Sequence, residues 1–364
     1  MAKEFSPLKN ILIICSDALN GWGGSTPRLL ALATGFSSMG WHIALLAASH
    51  NVKWTREKPE FIFPGKIFRT PMGRIGEPLW MNRKGFRRMW RYWNRMVYGS
   101  SSIAPAGKRA WAARALEFYS RDIREFNPGV IWGISCGELT AVAAAYLLAS
   151  QLQIPWVLEF QDPCPSPGYS LDDASKKLMK DALHSSSQIV TTTKAFSEEL
   201  SKHYPAVTDK LRTYYLTFDD SLPLPEPSER DDTQLHLLHM GHLHGGPGRN
   251  ARTLVQSIAR LVKRSPDVGN RINLRLVGRG NGVEEAIELA KELDIADRIS
   301  REYQVTLSES IDEMNRADVL VLIKFPGEKH NMQIPGKAFQ YLGRGKPILG
   351  IMGDCEAAHI IKRS

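Results

Sequence analysis

Hydrophobic positions along this chain fall into two alternating rhythms. Short unbroken apolar runs, Ile11 to Cys15, Ile43 to Ala47, Val130 to Ile134, "PWVLEFQD" and Gln188 to Thr193, predict strands buried on both faces. Between them the apolar residues take helical spacing. After Pro27, Leu29, Leu32, Ala33 and Phe36 share one face and Gly40 ends it; further helices are predicted around Ala141 to Gln151 and Ser175 to Ser185. Strands alternating with helices predict a doubly wound, largely parallel sheet.

The rhythm breaks at "DDSLPLPEPSERDDTQ", Asp219 to Gln234, where Pro, Ser and acids make a linker. It then restarts. Leu235 to Met240 is a strand; Leu254, Ile258, Leu261 and Val262 mark a helix face; "INLRLVG" and "ADVLVLIK" are strands, with a helix from Glu284 to Leu293 between them. In "QIPGKAFQYLGRGKPILG", Pro335 opens a short helix, Gly343 and Gly345 close it, and Pro347 to Ile351 is a last strand. The pattern predicts an α/β protein of two Rossmann-like doubly wound parallel-sheet domains facing a cleft, over residues 1–220 and 234–364.

Composition agrees. The 364 residues, 43% hydrophobic and 23% charged, are enough for two globular cores. Four cysteines, Cys15, Cys136, Cys164 and Cys355, lie far apart with no C-x-x-C, which argues against a disulfide framework or zinc cluster and suits a reducing cytoplasm. The start is too polar for a signal peptide, and apolar runs such as "AVAAAYLLA" fall short of a membrane span. Net charge is +9, and its distribution changes the picture. Between Arg74 and Arg114 stand ten Lys and Arg against one acid, Glu77, so the remainder of the chain carries no net charge.

Candidate chemistry sits where strands exit into glycines. In "GWGGST", Gly23, Gly24 and Ser25 precede a helix and could present backbone N–H groups to a phosphate or sugar; a plain surface loop is the other reading. The spacing is not G-x-G-x-x-G, and the second strand ends in "AASHN" with no acid for a ribose, which argues against a nicotinamide dehydrogenase. In "HMGHLHGGPGRN", Gly241, His242, His244 and Arg249 put cations beside backbone amides, as a diphosphate wants; the two histidines lack a nearby third metal ligand. "LVGRGNG" adds Gly278, and Gly336 gives access to a helix N-terminus. Such exits converge at strand C-termini, where open α/β sheets bind ligands.

"IPGKAFQYLGRGKPIL", with "HMGHLHGGPGRN", "LRLVGRG", "ESIDEMNRADVLVLI", the "GWGGS" loop and "PWVLEFQDPCPSPGY", resembles the group 1 (family four) glycosyltransferases of the GT-B fold. The resemblance implies that Gly336 and Lys337 face a donor diphosphate, and that Gln340 stands where the family has a ribose-gripping glutamate. Met332 replaces the family's second acid, Arg249 fits its basic residue, and His242 stands where arginine is commoner. In "EFQDPC", Gln161 takes the place of an arginine, and Asp162 is the candidate catalytic carboxylate, an N-cap role being the alternative. The resemblance further implies catalysis by charge stabilisation of a departing nucleoside diphosphate, without metal or other cofactor; no DxD motif is present. It also implies that the fold continues for several elements beyond Ser364.

The basic stretch contains "WMNRKGFRRMWRYWNRMVYG", in which Phe86, Trp90, Trp93 and Val97 keep helical spacing with Arg87, Arg88 and Arg91 between them. A helix on an anionic bilayer, a nucleic-acid surface and a core helix with snorkelling arginines all fit. The combined expectation is a cytoplasmic glycosyltransferase, peripheral on the inner membrane face, that moves a sugar from a nucleotide sugar to an envelope glycan or lipid-linked acceptor, with no nucleic-acid partner. The alternatives are an inactive GT-B accessory protein and a nucleotide-sugar epimerase or hydrolase.

Overall fold

The computed structural model describes residues 9–16, 25–49, 63–71, 111, 115, 119–165, 170–218, 233–246, 248–303, 305–324, 327 and 331–364. Gly23, Gly24, residues 219–232 of the expected linker and the basic aromatic residues Arg87, Arg88, Trp90, Arg91 and Trp93 lie outside them. The chain divides into two compact units, Met1–Tyr215 and Leu216–Ser364.

Unit 1 runs β1 (Asn10–Ile14), α1 (Ser25–Ser38), β2 (His42–Ser49), β3 (Lys66–Pro71), β4 (Val130–Cys136), α2 (Thr140–Leu152), β5 (Trp156–Asp162), α3 (Asp173–Ser185), β6 (Gln188–Thr191), α4 (Lys194–His203) and β7 (Leu211–Thr213). The strands form one parallel sheet in the order β3-β2-β1-β4-β5-β6-β7. Ile11 to Ile14 are buried, as a central strand covered on both faces must be. The alanines of α2 bring that helix close to β4, where a Cβ on Gly133 would come within 2.6 Å of the Ala145 Cβ, so only glycine fits.

Unit 2 runs β8 (Leu235–Met240), α5 (Arg252–Arg264), β9 (Ile272–Val277), α6 (Asn281–Glu292), β10 (Ile299–Glu302), α7 (Leu307–Arg316), β11 (Val319–Ile323), α8 (Gly336–Leu342), β12 (Ile348–Ile351) and α9 (Glu356–Arg363). Its parallel sheet has the order β10-β9-β8-β11-β12. Leu237, Leu254, Val255, Ile258, Leu274, Leu276, Ala286, Leu289, Val321 and Ile323 share one core. A capping box between Thr306 and Glu309 starts α7.

The elements that apolar runs do not announce are β3, α4, β7, β10, α7 and α9. The two edge strands "KIFRTP" and "ISRE" carry too many polar residues to form a run, because an edge is half-solvated. In both units the strand order reverses direction beside the first strand, between β1 and β4 and between β8 and β11. These switch points lie at the strand C-termini, where an open α/β sheet leaves a crevice for a ligand.

Candidate functional site

At the unit 2 switch point the chain leaves β8 through Gly241, at φ +108°. This is a conformation that glycine adopts without a Cβ penalty. A Cβ on Gly278, after β9, would overlap the Gly241 carbonyl, and one on Gly280 would overlap that of Leu243. The glycines therefore exist to let two strand-exit loops lie against one another. Gly241 donates its N–H to the Val277 carbonyl (2.7 Å) and Leu243 to that of Arg279 (2.9 Å), which fixes the loops.

Lys337, in the first turn of α8, points back over this floor. Its Nζ donates to the Met240 carbonyl at 2.6 Å and lies 3.4 Å from His239 Nε2. A Cβ on Gly241 would sit 3.0 Å from the same Nζ, so the glycine also leaves room for the ammonium. Burial, with the Arg249 guanidinium nearby, pulls the Lys337 pKa from 10.5 to about 7. The lysine is thus not part of one solvated helix face with Gln340, which lies half-buried on the turn after it.

His239 is fully buried, and its Nδ1 is 2.9 Å from the Val321 carbonyl. A carbonyl only accepts, so Nδ1 carries the proton. Burial first, then the Lys337 charge, hold the ring's pKa well below 6.5, so it is neutral and Nε2 is a bare acceptor. Tyr341, also fully buried, accepts the Met240 N–H on its hydroxyl oxygen at 3.0 Å. Burial raises the Tyr341 pKa, so the phenol stays protonated.

Arg249 folds back onto its own loop, its Nε donating to the His242 carbonyl at 2.9 Å. The Gly246 N–H donates to both Glu285 oxygens (3.1 and 3.0 Å), tying the Gly-Gly-Pro-Gly turn to α6. The His242 and His244 rings meet edge to face, centroids 4.4 Å apart. Among the described residues no group of three or more His, Cys, Asp or Glu could hold a metal. Pro335 precedes α8, and among the described residues a Cβ on Gly336 would meet Leu216 alone, at 3.7 Å. Met332 lies in the turn before it. Gly343 has an ordinary helical φ of −64°; a side chain there would overlap Phe218, so the residue is small for packing rather than for the turn.

Unit 1 carries a different set. Glu138, after β4, accepts from Ser16 Oγ at 2.7 Å, from the Thr140 N–H at 2.7 Å and from the Thr140 hydroxyl, joining the ends of β1 and β4. Ser25, at the far end of the Gly-rich loop, begins α1. Asp162 ends β5, half-buried opposite Cys136, where the β4–β5 register shifts. It caps no described helix; Asp172 caps α3. Its neighbour Gln161 is buried, accepts the Cys136 thiol proton on Oε1 at 3.2 Å, and leaves Nε2 without a partner among the described residues. Deeper in the unit, Arg28 from α1 pairs with the fully buried Glu159 (2.8 Å), which also accepts the Trp132 indole N–H at 2.7 Å.

The structure therefore brings Gly241, His242, Arg249, Gly278 and Lys337 together at one switch point, while Gly336 and Gln340 share the short helix α8 with Lys337. The site's partners are the buried His239 and Tyr341 and the exposed Glu285; the first two lie within the quoted stretches, but nothing in those stretches singles them out. The only signal for His239 is a polar residue inside the apolar run "LHLLHM".

Comparison with known proteins places this geometry. The model of the glycosyl transferase 4-like domain matches residues 23–215. Similar solved structures include sucrose-phosphate synthase from Thermosynechococcus elongatus (15% identity, 97% of this chain and 88% of that one, TM-score 0.62). Another is the lipopolysaccharide outer core galactosyltransferase WaaB (14%, 95% and 82%, TM-score 0.55). A third is a trehalose-6-phosphate protein from E. coli bound with UDP-2-fluoro glucose (11%, 96% and 86%, TM-score 0.58). No curated protein matches the chain. No helix of the described residues is long and apolar enough to cross a membrane. The likenesses carry the fold, two parallel α/β sheets of the GT-B glycosyltransferases, and the family match carries the class: the chain belongs to the glycosyl transferase 4-like family of glycosyltransferases.

Proposed function

We propose that unit 2 binds the nucleoside diphosphate of a nucleotide-sugar donor at its switch point, and that the enzyme transfers the sugar to an envelope glycan or lipid-linked acceptor. The observation that carries this is the Lys337 ammonium, fixed by the Met240 carbonyl beside the Gly241 exit. Among the described residues two of its three N–H donors are occupied, by Met240 and His239, and the third would serve a ligand oxygen. A diphosphate leaving group gathers negative charge as the glycosidic bond breaks, and Lys337 with Arg249 supplies fixed countercharge. That role needs no divalent metal. Gln340, one helical turn from Lys337, would accept one ribose hydroxyl proton through its amide oxygen.

The acceptor reading rests on the cationic, Trp-bearing stretch between Arg74 and Arg114, suited to the anionic inner face of a cytoplasmic membrane. The galactosyltransferase of similar fold named for the lipopolysaccharide outer core agrees with it. Calorimetry with UDP and with GDP, in EDTA and then in magnesium, tests the donor site. Binding in EDTA is expected. Binding that appears only with magnesium overturns the metal-free reading, and no binding in either condition overturns the donor site.

A further inference from the structure

His239 lies one residue inside β8 from the loop exit, fully buried, yet its ring is tied at both nitrogens. Nδ1 donates to Val321 of the neighbouring strand β11, across the switch point itself. Nε2 can then only accept, and the group within reach is the Lys337 ammonium at 3.4 Å. An apolar side chain would fill this core position without leaving two nitrogens to satisfy. The histidine is better explained by what Nε2 does for the lysine.

We propose that His239 is a positioning residue, whose Nε2 holds the Lys337 ammonium at the switch point in the charged and oriented form that a diphosphate needs. The proposal rests on the donor-site reading above. Around Lys337 stand the Met240 carbonyl and His239 from β8, Arg249 from the loop after it and Tyr341 from its own helix. Burial opposes the lysine's charge, and Arg249 opposes it further. Tyr341 is a neutral phenol engaged with the Met240 N–H. The Met240 carbonyl and His239 Nε2 are the two acceptors that favour the charged form, and only the second is a side chain. Diphosphate binding adds negative charge beside Lys337, so binding near neutral pH is accompanied by proton uptake at Nζ.

Three variants separate the two ring nitrogens. His239→Asn keeps a donor where Nδ1 reaches Val321 and removes the acceptor. His239→Gln puts an amide oxygen near the Nε2 position. His239→Phe removes both. Lys337 is first titrated in the ligand-free protein by competitive acylation with acetic anhydride, followed by mass spectrometry between pH 5 and 10. In His239→Asn the lysine is expected to become acylatable at lower pH than in the wild type, with His239→Gln restoring the profile. UDP and GDP affinities are then measured across the same range. Affinity falls as pH rises through about 7 in the wild type. In His239→Asn the fall moves to lower pH, and affinity at pH 7 drops about tenfold.

A Lys337 that titrates as an ordinary surface lysine in the wild type overturns the proposal. So does a His239→Asn protein whose thermal stability drops while the lysine profile and the nucleotide affinities stay those of the wild type. If the acylation profile shifts as expected but neither UDP nor GDP binds, the His239–Lys337 coupling stands and the donor-site reading falls.

Discussion

The two units share a sheet order around their switch points and differ in what they put there. From the outer strand inward, β3-β2-β1-β4-β5 in unit 1 matches β10-β9-β8-β11-β12 in unit 2. Unit 1 places a carboxylate, Glu138, between strand ends and satisfies it with the neutral donors Ser16 and Thr140. Unit 2 places an ammonium, Lys337, on a neutral imidazole and a carbonyl, with Arg249 nearby. The same backbone scaffold thus offers hydroxyl-scale polar contacts in one half and concentrated positive charge in the other. That division is what a transferase needs if a polyhydroxyl acceptor and an anionic leaving group are to be held by separate domains. It also shows why fold alone does not name a function: the topology repeats, and only the strand-end residues differ.

The largest effect that tests this comparison lies away from both switch points. In Arg28→Ala the Glu159 carboxylate remains at the centre of the sheet with only the Trp132 N–H as partner. Breaking a buried pair by removing one member costs about 3–5 kcal/mol. Unit 1 should lose that much in denaturant unfolding, while UDP or GDP binding, which the proposed function assigns to unit 2, should be unchanged. A parallel loss of nucleotide affinity would show that the units do not divide the work.

Next in size is Lys337→Ala. Removing a charge-assisted contact to a diphosphate should weaken affinity by about 1.5–3 kcal/mol. Because the ammonium is costly to bury, the ligand-free variant should unfold no more easily than the wild type. Weaker nucleotide binding with unchanged or raised thermal stability is the expected pair of results. A variant that loses stability and keeps affinity would move the site elsewhere.

The pH dependence has opposite signs for stability and for binding. Lys337 has a folded pKa of about 7 against 10.5 in the unfolded chain, so between those values the unfolded state binds more protons. Ligand-free unit 2 should therefore gain stability as pH rises from 7 towards 10. His239, held well below 6.5 in the fold, adds a loss of stability as pH falls below 6.5. Diphosphate affinity should run the other way, falling as pH rises through 7, because the charged lysine is the form that binds. Thermal shift with and without UDP across pH 6–10 separates the two curves, and curves that run parallel would count against Lys337 as the titrating group.

Much of the fold was legible in the sequence because central strands in a parallel sheet are buried on both faces, and burial forces unbroken apolar runs such as Ile11 to Cys15. The edge strands β3 and β10 have no such requirement and left no run. Glycine exits were legible for the same physical reason: Gly241, Gly278 and Gly280 hold positive φ or stand where a Cβ would overlap the next loop. The direction of Lys337 was implied only by the family resemblance. Spacing by itself leaves a lysine in the first turn of a short helix open to a solvated reading, and its inward course depends on Gly241 and His239, almost a hundred residues earlier in the chain. The pairing of Arg28 with Glu159 is hidden likewise, since no local spacing joins residues 131 positions apart.

The smallest expected effect concerns unit 1. Gln161 Nε2 is a buried donor without a partner, and such a group costs about 1–3 kcal/mol while it stays unmade. Gln161→Met keeps the length and volume of the side chain and removes the amide. The Cys136 thiol loses its acceptor, but a thiol is a weak donor and that loss is slight. Stability of unit 1 should therefore change by less than about 1 kcal/mol, and in the favourable direction. If the amide is retained because an acceptor hydroxyl reaches it during turnover, the same variant should slow sugar transfer with nucleotide affinity intact. A Gln161→Met protein that is clearly destabilised would mean that Nε2 is satisfied within the folded unit, and the contrast between a completed cationic site in unit 2 and an uncompleted neutral one in unit 1 would fail at this residue.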